Sequence, residues 1–393
     1  MTIDELAQQF EPRLRKAFLD GVDEIRNAAQ IQQIAEALER GDIQAAIDAL
    51  AINREAYREF EDELAKAYSD GGAAALNELG IVRSAQGQRL NIRFNARDLE
   101  AERFIREHSS QLVTRIVDDQ REAIRQAMQE RLSEGDNPRT TALDIVGRVD
   151  RRTQRRTGGI VGLSAPQERY IANARRELAE GQYGAYFQRE RRDRRFDATI
   201  RRAEREGRAL TRQEIDRISG RDSSPQELYI ANARRELAEG QYGAYFQRER
   251  RDRRFDATIR RAEREGRALT RQEIERISGR YSDRLLQLRG ETIARTETLT
   301  GLRAAQYEAA KQLVASGKVP RNAVRLVWRA TFDGRTRDSH ATLHGESTGI
   351  DEPFVSPLTG ARLRYPGDPQ GGAKEVINCR CALRVRVDYG SNL

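Results

Sequence analysis

Cysteine, histidine and tryptophan are rare in this chain of 393 residues, which has two cysteines, three histidines and one tryptophan. Two cysteines exclude the disulfide frameworks that stabilise small secreted domains. No apolar run approaches the length of a membrane span, and the N-terminus lacks the apolar core of a signal peptide. We therefore expect a soluble protein of a reducing cytoplasm with no membrane contact.

Aromatic residues are also scarce, at 6%, whereas 34% of the residues are charged. This composition predicts that much of the chain forms solvent-exposed helices and that the hydrophobic core is small. The formal net charge is +8, and only five of the 70 basic residues are lysines. Arginine suits bidentate contacts with phosphates and carboxylates, although the base composition of a GC-rich genome would also raise its share.

The N-terminal part of the chain has the spacing of amphipathic helices. Leu6, Phe10, Leu14 and Phe18 recur every four residues and form one apolar stripe. Residues 1–80 are therefore predicted to be a helical docking domain, although ordinary core packing explains the stripe equally well.

Further helix boundaries can be placed from polar residues and glycines. Asp42 is suited to cap one helix, and Gly71-Gly72 is predicted to end another. Asn95 or Asp98 is predicted to start a helical pair within a segment that covers residues 94–163.

A basic run over residues 148–156 ends at Gly158-Gly159 and predicts a linker or hinge. Its arginines, with arginines of the repeat described next, are candidates for contact with DNA or an acidic surface, and a merely solvated surface is the alternative. The candidate set is Arg151, Arg152, Arg155, Arg156, Arg191, Arg192, Arg194, Arg195, Arg250, Arg251, Arg253 and Arg254.

The middle of the chain is a tandem duplication. Residues 164–221 and 223–280 are copies offset by 59 positions that differ at only three of them. Ser164 with Gln167, and Thr270 with Glu273, fit the capping box that starts a helix, and both pairs recur in the other copy. We expect two helical repeats, residues 164–222 and 223–281, that extend a helical arm or stack on each other.

Residues 282–393 are predicted to be a small α+β domain. A helix that starts at Ser282 or Asp283 leads to two strand-like alternations, over residues 324–332 and 381–389. Asp333-Gly334 favours a tight turn after the first alternation.

The two cysteines are two positions apart. A strand would place the Cys379 and Cys381 sulfurs on one face, and a bend would let both reach one metal. His340 and His344 would complete a Cys₂His₂ tetrahedron suited to structural zinc, with Asp338 as a substitute ligand. The alternative is a pair of reduced, half-buried thiols.

An acid–base or nuclease cluster is another interpretation of this region, because Asp333, Asp338, His340 and His344 occur close together in the sequence. No glycine-rich phosphate loop, nucleophile elbow or paired-carboxylate signature accompanies them. We therefore expect a protein that is not an enzyme, and keep a metal-dependent hydrolase as an alternative.

The C-terminal region also contains a series of short motifs. They are Trp328, Asp333-Gly334-Arg335-Thr336-Arg337-Asp338-Ser339-His340, His344-Gly345, Pro353-Phe354, Tyr365-Pro366-Gly367-Asp368 and Asn378-Cys379-Arg380-Cys381. This series resembles the phage head morphogenesis family of Mu F-like minor head proteins, over about residues 283–389.

The resemblance implies a structural virion component at the head or portal vertex, assembled in the cytoplasm of a bacterial host. It implies a role in head assembly, genome packaging or release, with the portal protein or the major capsid protein as partner and packaged double-stranded DNA nearby. An arginine-rich DNA-binding module inside the head is the alternative. The expected fold is mainly α, with elongated helical N-terminal and middle regions and a small C-terminal α+β domain.

Overall fold

The computed structural model describes most of the chain outside the duplicated segment. The described residues are 1–84, 86–133, 135–150, 154–168, 269–332 and 336–389, with isolated positions at 171–172, 258, 261–262 and 264–265. They form two compact units, Met1–Arg125 with Leu286–Leu393, and Gln126–Leu285. Most of both predicted repeats lies outside the described residues, and the boundaries of the five predicted domains stay predictions.

The structure is mainly helical, as expected. Within the described residues its helices are α1 (Ile3–Ala28), α2 (Ile31–Glu39), α3 (Ile43–Asp48), α4 (Arg58–Glu78), α5 (Leu99–Ser133), α6 (Pro138–Val146), α7 (Arg271–Ala315), α8 (Asp338–Thr342) and α9 (Ala373–Val376). Single 3₁₀ turns cover Glu55–Tyr57, Arg321–Ala323 and Pro369–Gly371. No helix among the described residues is long and apolar enough to cross a bilayer.

Small antiparallel sheets complete the fold. The strands are β1 (Arg148–Val149), β2 (Arg156–Thr157), β3 (Val324–Arg329), β4 (Ser347–Gly349), β5 (Phe354–Val355), β6 (Arg362–Leu363) and β7 (Ala382–Val387). In the C-terminal region the strand order is β4-β3-β7, and β5 pairs with β6. The two predicted alternations are therefore neighbouring strands, with Val324 opposite Val387 and Trp328 opposite Leu383.

The N-terminal helices form where the apolar spacing and the caps predict them. Leu6, Phe10, Leu14 and Phe18 are all buried along α1. The Asp42 side chain accepts the Ala45 N–H at 2.9 Å and caps α3, as predicted.

The prediction that Gly71-Gly72 ends a helix is wrong, because α4 continues through both residues to Glu78. Packing accounts for the glycines. A Cβ at Gly71 would lie 2.9 Å from the Leu302 side chain, and one at Gly72 would lie 2.3 Å from the Phe94 ring. Here glycine allows close approach between elements and does not mark a boundary.

The predicted start of the long helix is also wrong. Helix α7 begins at Arg271, and the Thr270–Glu273 capping box closes its first turn, with Thr270 N–H donating to Glu273 at 2.8 Å and Glu273 N–H donating to Thr270 Oγ1 at 3.3 Å. The last helix of the second copy therefore continues into the helix that was predicted to start at Ser282.

Ser282 and Asp283 bind the glycine turn at residues 158–159 and do not cap a helix. Ser282 Oγ donates to the Gly159 carbonyl, and Asp283 accepts the Gly158 N–H at 2.7 Å. Gly158 and Gly159 have φ of +70° and +81°, a region that favours glycine. Residues 158–163, predicted as a linker or hinge, are buried.

One core joins the N-terminal helices to the C-terminal sheet. It includes residues of α4, α5, α7 and β3 as well as both cysteines. Representative members are Tyr68, Ala101, Leu313, Val324, Trp328, Phe354, Tyr365, Cys379, Cys381 and Leu383. The C-terminal region is therefore packed on the helical half of its unit, and the candidate site lies at this core.

Candidate metal centre

Three short elements bring His340, Cys379 and Cys381 together. His340 lies on α8, where its ring meets the Trp328 ring edge-on at 5.1 Å. Asn378, with φ of +55°, follows the last turn of α9 and turns the chain just before Cys379. Asparagine tolerates this left-handed conformation better than most residues. This is the bend that the C-x-C spacing required, and Cys381 directly precedes β7.

The donor atoms are spaced as one metal ion requires. His340 Nδ1 lies 3.6 Å from Cys379 Sγ and 3.5 Å from Cys381 Sγ, and all three donor atoms lie within 4.8 Å of one another. A tetrahedral zinc centre, with Zn–S of about 2.3 Å and Zn–N of about 2.0 Å, places sulfur and nitrogen about 3.5 Å apart. Two thiolates and one imidazole are the ligand types that zinc favours. The residues present therefore fit a zinc ion.

The carboxylate of Glu375 holds the His340 ring in a fixed orientation. Glu375 Oε2 lies 2.7 Å from His340 Nε2, so the ring donates from Nε2 and Nδ1 keeps its lone pair toward the sulfurs. Ser356 and Thr359 hydroxyls donate to Glu375 Oε1 at 2.7 and 2.6 Å. These bonds outweigh burial and lower the pKa of the Glu375 carboxyl. Carboxylates that orient a ligand histidine in this way are common around zinc.

The two thiols have opposite protonation tendencies. A hydrogen bond from Cys381, with support from His340 and the Arg303 guanidinium, holds the pKa of Cys379 well below its ordinary value despite burial. Donation to Cys379, together with burial, raises the pKa of Cys381. The site thus supplies one thiolate readily, and a cation would favour ionisation of the second.

Two further side chains complete the surroundings. The buried indole N–H of Trp328 acts on the Cys381 thiol and offsets part of the rise in the pKa of that thiol. Arg303, only 2% exposed, donates to the Cys379 carbonyl at 3.0 Å. Both groups favour negative charge on the sulfurs.

The cluster does not include His344. That ring accepts the Ala330 N–H at 3.1 Å through Nδ1 and lies against Phe332, with 4.6 Å between ring centroids. Asp338, the proposed substitute ligand, is an exposed residue at the start of α8. Among the residues that the structure describes, the predicted Cys₂His₂ set is brought together only as Cys₂His, and metal binding itself stays a prediction.

Few of the candidate contact arginines can be placed. Arg151, Arg152 and those at 191–195 and 250–254 lie outside the described residues. Arg155 is exposed, whereas Arg156 is half-buried in the β1–β2 pair and donates to the Gly147 carbonyl at 2.9 Å. Burial also lowers the pKa of Arg156. Arg156 therefore has a structural contact of its own, and Arg155 remains available.

Sequence reasoning missed Glu375, Trp328 and Arg303 as parts of the site. Glu375 is 35 residues from His340, and Arg303 is 76 from Cys379, so no local spacing links either pair. One general rule could have pointed to Glu375: a histidine that ligates a metal needs a hydrogen-bond acceptor for its second ring nitrogen. Glu375 is a candidate acceptor because it precedes Cys379 by only four residues.

A cavity of about 310 Å³ lies elsewhere in the same unit. Its walls include Tyr68, His108, Glu308, Arg364 and Tyr365. None of the three cluster residues lines it. The cavity and the candidate metal centre are therefore separate features.

Comparison with known proteins shows which family the region around the candidate site is similar to. The family model described as phage Mu protein F like protein matches residues 234–384, less than half of the chain. Residues 234–384 are Mu F-like. The match confirms the resemblance seen in the C-terminal motifs and begins earlier than expected, within the second repeat copy.

The Mu F-like region contains His340, Cys379 and Cys381, together with Glu375, which is bonded to His340. An uncharacterized protein, YqbB of Bacillus subtilis (strain 168), is 33% identical over 102 residues, which are 25% of this chain and 31% of that protein. The match thus spans less than a third of the relative's length. No solved structure gives a significant match to the chain.

Proposed function

We propose that this protein is a structural, non-enzymatic component of a tailed-phage or prophage-derived head, which acts at the portal vertex during assembly, genome packaging or release. The observation that supports this most strongly is the Mu F-like match over residues 234–384. The partners we propose are the portal protein and the major capsid protein, and the place of action is the virion.

The role we propose for His340, Cys379 and Cys381 is to hold one structural zinc ion. Zinc would cross-link α8 to the segment that leads into β7, two elements that β4, β5, β6 and α9 separate along the chain. Metal sites of this kind stabilise regions whose own core is small. The chain's residues orient the imidazole and supply the thiolates.

Burial argues against a metal-dependent hydrolase. His340, Cys379 and Cys381 are 1%, 2% and 3% exposed, and the cavity described above does not reach them. A catalytic zinc needs a coordination position that substrate can reach, whereas a structural one is enclosed. The site geometry therefore favours a structural role.

Particle composition tests the proposed function. The gene would be deleted from the phage or prophage that encodes it, and heads would be purified and compared with those from the parent and from a complemented strain. We expect the protein in parental heads, and defective or empty heads after deletion. Heads that assemble, fill and infect normally without the protein would refute the proposal.

A complementing copy with Cys379→Ser and Cys381→Ser tests whether head assembly depends on the proposed metal site. If the protein works as a zinc-stabilised head component, this variant restores few functional heads. A Glu346→Gln copy, altered at an exposed position of the same C-terminal region, is the control and should restore assembly.

A further inference from the structure

The outer face of the β4-β3-β7 sheet carries an unusual set of arginines. Arg325 lies directly opposite Arg386 in the β3–β7 register, and Arg384 and Arg329 lie on the same face, opposite Val327 and Ala382. We define these four residues as the arginine face: Arg325, Arg329, Arg384 and Arg386. The other face of the same strands points into the core through Leu326, Trp328 and Leu383.

The arginine face is mostly exposed and carries four positive charges. Arg329, Arg384 and Arg386 are exposed and Arg325 is half-buried. Within the part of the chain that the structure describes, none of the four forms an ion pair or a side-chain hydrogen bond. Glu352 lies over Gly349 on this face, but its carboxylate accepts the Gly349 N–H at 3.0 Å and pairs with no arginine.

Such an arrangement costs stability unless something outside the chain compensates it. Like charges directly opposite each other on neighbouring strands destabilise a sheet. Several other arginines of this unit are neutralised locally: Arg364 has Asp368 at 2.7 Å, and Arg13 has Glu63 at 2.7 Å. The arginine face therefore indicates an external anion.

We propose that the arginine face binds the phosphate backbone of double-stranded DNA. Guanidinium groups form paired hydrogen bonds with phosphate oxygens, and such contacts are independent of base sequence. A protein partner would normally be held by apolar or aromatic anchors at the centre of the contact. The positions between these arginines are instead Ser347, Gly349, Ala382 and a buried Val327. The inference goes beyond the proposed function, which assigns no DNA contact to any residue of the C-terminal sheet.

Salt-dependent binding of the full-length chain tests the proposal. A fluorescent random-sequence duplex would be titrated with wild type and with the Arg384→Gln, Arg386→Gln variant at several salt concentrations. Each phosphate contact contributes about 0.9 to the slope of log K against log salt, so the double variant should lose about 1.8 of that slope and bind more weakly. The Arg40→Gln, Arg58→Gln variant removes equal charge from distant helices and should keep the wild-type slope.

Two results would overturn the inference. One is wild-type affinity and slope in the double variant, which would place any DNA contact on other arginines. The other is equal competition by polyglutamate and by DNA at matched charge, which would indicate an acidic protein ligand. Thermal melting checks that the variant folds, because relief of charge repulsion should leave the melting midpoint of Arg384→Gln, Arg386→Gln unchanged or higher. The Arg325→Gln, Arg329→Gln variant repeats the DNA-binding test with the other two arginines of the face.

Discussion

His340 is the residue that organises the candidate metal centre. Its Nε2 is bonded to Glu375 at 2.7 Å, so the ring cannot turn without breaking a buried charge-assisted bond. Its Nδ1 is consequently held toward both sulfurs. His344, only four residues away, has a different task, because it accepts a backbone N–H at the end of β3.

Exchange of each histidine distinguishes these tasks. We expect His340→Gln to abolish stoichiometric zinc binding, because it removes a ligand. The matched His344→Gln variant should keep its zinc, since only the Ala330 hydrogen bond is weakened. Metal analysis of both purified variants is the measurement. Loss of zinc in His344→Gln would mean that the four-ligand set predicted from the sequence is the correct one.

The Glu375→Gln variant tests whether the Glu375 carboxylate orients His340 for metal binding. An amide keeps the size of the side chain but removes the negative charge that orients His340, and changes at such positions typically lower metal affinity about 10–100-fold. Competition with a chromophoric chelator measures the affinity. Glu346→Gln, at an exposed position of the same region, should have wild-type affinity. Equal affinities for both variants would rule out an orienting role for Glu375.

At the scale of elements, local signals gave the correct caps but not every correct boundary. Asp42 and Thr270 cap the helices they were expected to cap. Gly71-Gly72 was misassigned because its glycines respond to a neighbouring helix, which the local sequence does not contain. Ser282 and Asp283 were misassigned for the same reason, since their partners lie more than a hundred residues away.

Gly71→Ala tests the contact between α4 and α7. The new Cβ would lie 2.9 Å from Leu302, and overpacking of this kind costs about 1–3 kcal/mol of unfolding free energy, partly offset by better helix propensity. Gly301→Ala is the control, because its Cβ would meet only the end of the Leu64 side chain at 3.2 Å. Denaturant unfolding should therefore show a loss for Gly71→Ala and near-neutrality for Gly301→Ala. The reverse order would contradict close packing at Gly71.

Thr270→Ala tests where α7 begins. Loss of a helix N-cap costs about 0.5–2 kcal/mol, so the variant should unfold at lower denaturant than wild type. Thr114→Ala, at an exposed position inside α5, removes the same atoms without a cap and should be neutral or slightly stabilising. If the two variants behave alike, the capping box at Thr270 contributes nothing and the start of α7 must be placed elsewhere.

For the whole molecule, the sequence was sufficient for the mainly helical composition with small C-terminal sheets, for the two central strands and for bringing both cysteines together with His340. Apolar alternation over residues 324–332 and 381–389 and the C-x-C spacing carried those predictions, and the strands themselves are Val324–Arg329 and Ala382–Val387. The shared core was not predictable, because Tyr68 and Trp328 belong to it from opposite ends of the chain. Glu375 was missed for the same physical reason, since its partners are distant in sequence.

Chelation should affect the whole unit because both cysteines belong to that shared core. We expect a strong chelator to lower the thermal midpoint of wild type, since a ligand that binds only the folded state stabilises it by mass action. The Cys379→Ser, Cys381→Ser variant should melt lower from the start and show no response to the chelator. A chelator-sensitive midpoint in that variant would locate the metal outside the cluster.

The measurement that tests the central claim most directly is the metal content of the full-length protein, purified without added metal and without histidine tags. Elemental analysis against protein concentration should give one zinc per chain for wild type and none for the Cys379→Ser, Cys381→Ser variant. Wild-type protein that is fully folded and carries no zinc, and takes none up when zinc is supplied, would contradict the account.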